Sequence, residues 1–259
     1  METMAKNTLK TGEHPNHQPL IMFKEVYKSF GANNVLNGIS FSVNKGENLI
    51  ILGRSGSGKS VAVKCLVGLT KADKGEITVM GKDVTKLNEQ ELNQIRMKIG
   101  FLFQNGALYD SMTVRQNLAF TLEHNNRNLS KAEVDTAILE ALTNVGLADA
   151  IDKMPSELSG GMRKRIGLAR ALIIKPEIII YDEPTAGLDA ITAREIIELI
   201  RSIKVKYNAT SIIITHDLTC AKYTGDRIIV LKDGIIKAEG SYDDIENNTD
   251  EWIKSFFQK

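Results

Sequence analysis

Two cysteines in 259 residues, Cys65 and Cys220, lie far apart and match no metal-ligand or redox spacing. That leaves no disulfide framework, zinc site or dithiol motif to build on. Two buried thiols in a reducing compartment are the expected arrangement. An excess of one charge sign is also missing: 33 basic and 32 acidic residues give a formal net charge of +1. Such a balance carries no electrostatic footprint for general nucleic-acid binding, and no nucleic-acid partner is expected. No apolar run approaches the roughly 20 residues needed to cross a bilayer. Residues 1–20 include Glu2, Glu13, His14 and His17. They lack the apolar stretch of a secretion signal and the Arg-rich, acid-free character of a transit peptide. They are expected to form a disordered polar leader, so work at a membrane needs a partner that holds the chain there. Internal repeats, low-complexity tracts and a guanine-type N-K-x-D motif are likewise missing.

What is present is ordinary globular composition, 42% hydrophobic and 25% charged, in a length that suits one large domain with or without a subdomain. From Ile21 onward, strand and helix signals alternate. Ile39, Phe41 and Val43 alternate with polar residues at a period of two, and Leu49–Leu52 is a short apolar run that ends at Gly53. The first pattern suits a sheet with one solvated face, the second a strand buried on both. Val61–Leu69 reads as an apolar helix, and Glu76–Met80 and Ile99–Phe103 as strands. In the middle, Ser130 and Glu133 form a capping-box signature. Val134, Ile138, Ala141, Leu142 and Val145 follow at helical spacing, with Gly146 as a stop. Asn125–Leu129 reads as a polar connector, and Thr113–Ser156 as a helical insert with its own small core. Strands return at Glu177–Tyr181 and Thr210–Ile214, separated by a helix with Ile196, Ile197, Ile200 and Ile203 on one face. Asp233-Gly234 between Arg227–Leu231 and Ile235–Ala238 signals a hairpin. Short buried strands alternating with helices predict an α/β fold around a mostly parallel sheet.

Gly53-Arg54-Ser55-Gly56-Ser57-Gly58-Lys59-Ser60 satisfies G-x-x-x-x-G-K-[ST]. Glycines let backbone N–H groups point at phosphate oxygens, and the helix that follows offers its positive end to the same anion. Lys59 supplies a point charge for the β- and γ-phosphates, and the Ser60 hydroxyl a ligand for Mg²⁺. Chance matches arise in about one chain per hundred at ordinary glycine usage. Here, however, the match follows a buried strand and opens a helix, which is the setting the chemistry requires. Asp182 and Glu183 end an apolar strand at the carboxyl edge, where α/β sheets bind ligands. Asp182 suits Mg²⁺, and Glu183 suits a general base acting on water. Gln104 and His216 also follow strands, although alone each reads as a loop residue. Ser159 reads as an N-cap. Gly160 and Gly161 behind it are costly in a first helical turn and make an open helix end, a second anion site. Two phosphate-binding termini in one chain suggest a nucleotide shared between subunits.

Gly53–Ser60, Gln104, Leu158–Met162, Ile178–Glu183, Ala186–Asp189 and His216 occur in the order of the ABC-transporter ATPases. The chain resembles that family from about Ile21 to Gly240. The resemblance implies a P-loop NTPase fold: a RecA-like core, an antiparallel β-subdomain and a helical subdomain, the last at about 113–170. The ATPase domain would span 21–242, with a C-terminal helical tail at 243–259. ATP and Mg²⁺ are the implied cofactors, and two copies are expected to pair head to tail. Phe30, Gly53, Arg54, Ser55, Gly56, Ser57, Gly58, Lys59, Ser60 and Val61 of one copy would meet the nucleotide, with Phe30 stacked on adenine. Ser159, Gly160, Gly161, Met162 and Asp189 of the other would close the site. Glu183, His216, Gln104 and Lys59 are the implied catalytic set, and Ser60, Gln104 and Asp182 the metal set. Two positions depart from the wider family. Met162 stands where Gln is usual, which puts any side-chain hydrogen bond there in doubt. Arg54 replaces a frequent Pro, where only the backbone is expected to matter.

Phe103–Val114 and Met154–Met162 are similar to the Mla-type branch, which includes a Met at the position of Met162. That branch implies phospholipid transport between bacterial membranes. The partners would be an integral-membrane permease dimer, an Mce-domain protein and a small accessory subunit. The location would be peripheral, at the cytoplasmic face of the inner membrane. Transport of another substrate is one alternative, and a soluble ABC-type assembly or scaffold ATPase another. A P-loop kinase or GTPase has no use for Ser159-Gly160-Gly161. In the tail, Trp252, Ile253, Phe256 and Phe257 recur at helical spacing, and packing back on the core is expected ahead of docking on another subunit.

Overall fold

The computed structural model describes residues 18–125 and 128–257. In chain order the elements are β1 (Ile21–Phe30), β2 (Asn33–Val43), β3 (Asn48–Leu52), α1 (Lys59–Leu66), β4 (Lys74–Val79), β5 (Lys82–Asp83), α2 (Glu89–Arg96) and β6 (Ile99–Leu102). There follow α3 (Val114–Asn125), α4 (Lys131–Asn144), α5 (Gly160–Leu172), β7 (Ile178–Asp182), α6 (Ala190–Tyr207), β8 (Thr210–Thr215), α7 (Leu218–Thr224), β9 (Arg227–Lys232), β10 (Ile235–Gly240), α8 (Tyr242–Glu246) and α9 (Glu251–Lys254). Short 3₁₀ turns at Ala148–Ala150 and Pro155–Glu157 lie between α4 and α5.

Two sheets organise these elements. One is antiparallel, in the order β2-β1-β4-β5; the other runs β10-β9-β3-β8-β7-β6, parallel throughout except for the β9–β10 hairpin. The apolar run at β3 sits inside the second sheet and is buried at all five positions. Its period of two divides it between two cores. Ile50 and Leu52 join a cluster with α3, α4, α5 and α6, while Leu49 and Ile51 join one with α1 and the antiparallel sheet. Strands β7, β8 and β9 alternate in the same way, which is why their sequences are nearly continuous runs of isoleucine and valine. Each such side chain, taken fully out of water, contributes about 1.5–3 kcal/mol.

Local signals act where the sequence places them. Ser130 Oγ accepts from Glu133 N at 3.3 Å, and the Glu133 carboxylate accepts from Ser130 N at 2.8 Å. The apolar stripe of α4 is buried through Val145, and Gly146 stops the helix at φ 69°. Ile196, Ile197, Ile200 and Ile203 form the buried face of α6. Two differences stand out. Asn125, expected in a connector, is the last residue of α3, because its side chain donates to Thr121 O at 2.8 Å and caps the turn. Helix α5 begins among the insert helices yet packs along β6, so it belongs to both layers. Of the expected leader, residues 1–17 lie outside the described residues.

Candidate functional site

Strands β3, β8, β7 and β6 are consecutive parallel neighbours in the sheet. Their carboxyl ends therefore deliver Gly53, His216, Glu183 and Gln104 to one edge, although these residues are up to 163 positions apart in the chain. This is where open α/β sheets bind ligands. A cleft of about 780 Å³ lies there, lined by Arg54–Val61, Gln104, Asp182, Glu183 and His216, together with Asn33, Val35, Ser255 and Phe256.

The loop from Gly53 to Gly58 is shaped by close approaches. A Cβ on Gly53 would sit 2.5 Å from Leu231 O and 2.6 Å from Ser57 Oγ. Gly58, the N-cap of α1, has φ 105°, and a Cβ there would meet Val35 O at 2.8 Å. No side chain caps α1, so its first-turn N–H groups face the cleft unpaired by a cap. Lys59 is 7% exposed, and its ammonium donates to Gly53 O at 2.8 Å and Arg54 O at 3.0 Å. Burial pulls the Lys59 pKa below the ordinary lysine range, and the carboxylates of Glu183 and Asp182 partly restore it. Ser57 Oγ is buried without a hydrogen-bond partner. The loop is thus a concave set of donors with a lysine folded onto its rim.

Asp182 closes β7, and its carboxyl is pushed above the usual range by burial and then by the neighbouring Glu183 charge. Glu183 adopts a left-handed backbone, φ 49°, with its N–H donated to Ile214 O at 2.8 Å. Its Oε2 lies 2.9 Å from His216 Nδ1. A half-buried carboxylate paired to an exposed imidazole beside a lysine and an amide side chain can hold and polarise a water. The oxygen donors of Ser60, Gln104 and Asp182 suit a hard cation. No group of three or more His, Cys, Asp or Glu residues converges among the described residues. A Mg²⁺ here therefore fits only if ligand oxygens and water complete its shell.

Other expected site residues point elsewhere. Ser159 caps α5, its Oγ accepting from Met162 N at 3.2 Å. Gly160 is exposed, and a Cβ there would come no nearer than 3.7 Å to its closest neighbour, Leu188 Cδ2. A Cβ on Gly161, by contrast, would strike Thr192 Cγ2 at 2.4 Å. The two glycines have different causes: Gly161 lets α5 and α6 touch, and Gly160 leaves a bare helix end. Asp189 caps α6 through Ile191 N and Thr192 N, both at 3.0 Å. Ser159, Gly160, Gly161, Met162 and Asp189 do not line the cleft of their own chain, nor does Phe30. Phe30 is 52% exposed at the end of β1, with the Lys28 ammonium 5.2 Å from its ring centre.

Arg54 does more than supply backbone. Its guanidinium donates to Ser255 Oγ at 2.8 Å and lies 5.7 Å from the Trp252 ring and 5.8 Å from that of Phe256. The tail therefore packs back on the core, with Ile253 1% exposed, and it also reaches the loop. Ser255 and Phe256 are not among the expected site residues. The spacing of the tail signals burial, but nothing local in the sequence pairs Ser255 with a residue 201 positions away.

The family described as "ABC transporter" matches residues 36–186. A methionine import ATP-binding protein of Rhizobium etli is 42% identical over 223 residues, covering 86% of this chain and 61% of that protein. The chain thus spans less than two thirds of the methionine-import relative. The chloroplastic Arabidopsis thaliana protein named trigalactosyldiacylglycerol 3 is 37% identical over 254 residues, 92% of this chain and 73% of that one. Among solved structures, the ATP-binding cassette MJ0796 is a dimer in a post-hydrolysis state bound to ADP and Pi. It superposes with a TM-score of 0.79 at 33% identity, over 86% of this chain and 98% of that one.

Proposed function

The chain belongs to the ABC transporter family, and from that premise we propose that it is the ATP-hydrolysing subunit of a transporter. The observation that carries the proposal is the convergence of Lys59, Gln104, Asp182, Glu183 and His216 on one cleft whose floor is the anion-cradling loop. ATP binds with its phosphates on the N–H groups of Gly53–Ser60 and at the N-terminus of α1. Lys59 exchanges the carbonyls of Gly53 and Arg54 for phosphate oxygens. Ser60, Gln104 and Asp182 would hold Mg²⁺, which would neutralise charge on the phosphates. Glu183 takes a proton from the attacking water, and His216, already at its carboxylate, contacts the γ-phosphate. Phe30, exposed at the end of β1, is assigned to the adenine by family resemblance.

A second copy completes the site. Ser159 and Gly160 present the open end of α5 outward, with Gly161 and Met162 behind them in the same turn, and Asp189 stands at the start of α6. The dimeric cassette bound to ADP and Pi supports the pairing of two copies, and the head-to-tail order follows from the family resemblance. The membrane partner is a permease dimer. Exposed Phe103, Tyr109 and Phe120 line a groove with Arg170 and His124, next to Gln104, which suits an amphipathic cytoplasmic helix. No helix among the described residues is long and apolar enough to cross a membrane. The chain then sits peripherally on the cytoplasmic face of the inner membrane, through the permease.

For cargo we infer phospholipid, moved by an Mla-type assembly with an Mce-domain protein and a small accessory subunit. This rests on Phe103–Val114 and Met154–Met162, and it is in keeping with a relative named for a galactolipid. Methionine import is the second reading, favoured by the Rhizobium etli relative. Two experiments test the proposal. Glu183→Gln should retain ATP binding while turnover falls by about 10³-fold; near-normal hydrolysis removes Glu183 as base. Affinity purification from membranes should bring down a multi-spanning permease with phospholipid. Methionine-dependent stimulation without lipid favours the importer, and a chain recovered with no permease favours a scaffold ATPase.

A further inference from the structure

Lys164 is a buried cation that the mechanism above does not use. It lies on α5, four residues after Gly160, and is 5% exposed. Its three N–H donors are all taken, by Glu183 O at 3.2 Å, Pro184 O at 2.9 Å and Ala186 O at 2.6 Å. No carboxylate pairs with it directly: none of its hydrogen bonds or ion pairs among the described residues goes to an acidic side chain. Burial lowers the pKa of its ammonium, and the nearby Glu183 charge offsets part of that effect. Leaving a charge desolvated on three carbonyl dipoles is costly for a filler residue. Satisfying all three donors on one turn makes it a strong geometric clamp.

The clamp falls on a strained point. Glu183 is a non-glycine residue at φ 49°, a strained conformation that persists only where the surroundings enforce it. The surroundings are two. Strand β8 holds the N–H of Glu183 through Ile214 O at 2.8 Å, and α5 holds its C=O through Lys164. The direction of the Glu183 side chain is thus set from both sides of its Cα. A small sliding of α5 acts on only one of them. One turn before Lys164, α5 begins at the exposed Gly160.

We propose that Lys164 is a positioning residue that fixes the Glu183 carboxylate and couples it to the α5 terminus facing the partner subunit. The inference rests on the reading of Glu183 as general base. Engagement of Gly160 by a partner's nucleotide moves α5, and the ammonium carries that movement to the turn 183–186. Each chain's contribution to its partner's site is thereby linked to the base in its own.

The test is steady-state ATP hydrolysis by the full chain carrying Lys164→Met or Lys164→Gln, alone and combined with Glu183→Gln. Met keeps length and removes all donors, whereas Gln keeps two. Lys164→Met should lower kcat by about 30-fold with KM for ATP within about 3-fold, and Lys164→Gln should recover to within about 5-fold of the parent. In the Glu183→Gln background, Lys164→Met should change the residual rate by less than about 2-fold, because it acts through the missing carboxylate. Parental kcat in both variants overturns the inference, as does an equal fractional loss in both backgrounds or a loss confined to KM. If Lys164→Met does not fold, Lys164→Gln decides alone. A loss of about 3–5-fold that vanishes beside Glu183→Gln supports the proposal; no loss, or one that persists there, overturns it. Glu183→Gln at the parental rate is the separate failure of the base assignment. An inactive Glu183→Gln with an active Lys164→Met is the failure of this inference alone.

Discussion

The carboxyl edge of the parallel sheet and the face formed by the starts of α5 and α6 both present anion-binding chemistry, and they differ in completeness. At the sheet edge, Lys59, Asp182, Glu183 and His216 act on one another: the pKa values of Lys59 and Asp182 are shifted, Glu183 lies 2.9 Å from His216, and all four line one cleft. On the α5–α6 face, Ser159 and Asp189 are occupied by their own helix caps, and Gly160 is bare. The first region is a site, and the second is a surface that becomes one only against something else. A parallel sheet collects residues from distant strands at one edge, whereas helix ends collect only what lies within a turn. On the proposed function, the chain carries most of the catalytic residues itself and only a detached half of a second binding surface.

The largest effect that sharpens this contrast is expected at the sheet edge. Lys59→Ala should lower kcat/KM for ATP by about 10²–10³-fold and weaken nucleotide binding to the isolated chain, measured by fluorescent-nucleotide titration. Unchanged affinity would break the cradle assignment. On the other face, Gly160→Leu should leave that titration unchanged but lower hydrolysis by about 10²-fold, because the dimer no longer closes. Gly161→Ala should instead destabilise the chain by about 1–3 kcal/mol in denaturant unfolding, since its Cβ meets Thr192. Equal stability loss in both would erase the distinction between the two glycines.

The smaller effects concern tuning. The Asp182 carboxyl titrates above the ordinary range in the folded chain, so the folded state binds that proton more tightly than the unfolded one. Its contribution to stability is fully present below the unfolded pKa and is lost as pH rises through the raised one. At neutral pH, Asp182→Asn should therefore raise the Tm of the nucleotide-free protein while abolishing Mg²⁺-dependent binding. A lowered Tm would contradict the argument from burial and charge repulsion. Smallest of all, Trp252→Ala or Phe256→Ala should change KM for ATP by about 2–5-fold, the scale of an exposed cation–π contact to Arg54. No change in the pair together would make the tail contact incidental to the loop.

Much of the parallel core is legible in the sequence. Leu49–Leu52 and Ile178–Ile180 can satisfy their apolar side chains only between two layers, and Asp233-Gly234 is the turn its hairpin needs. The motif residues are legible because phosphate chemistry restricts which side chains can stand there. Helix α2 escapes a reading by periodicity although Asn88 and Glu91 form a capping box, since Glu89–Arg96 has only Leu92 and Ile95 to mark a buried face. The long strands β1 and β2 are legible only in part, because their register shifts interrupt the period of two. Lys164 and Arg54 are not legible in role. The partners of Lys164 are backbone carbonyls, which carry no sequence signal, and those of Arg54 lie at the opposite end of the chain.

As proposed, a working site takes its loop and base from one chain and its α5 terminus from another. Mixing chains that carry Glu183→Gln with chains that carry Gly160→Leu tests it most directly. In a mixed head-to-tail pair, one site receives both defects and the other neither. An equal mixture of two nearly inactive proteins should therefore recover well above the sum of its components, up to about a quarter of the parental ATPase activity, from half the dimers each with one site free of both substitutions. A mixture no more active than the sum of its components would contradict the account.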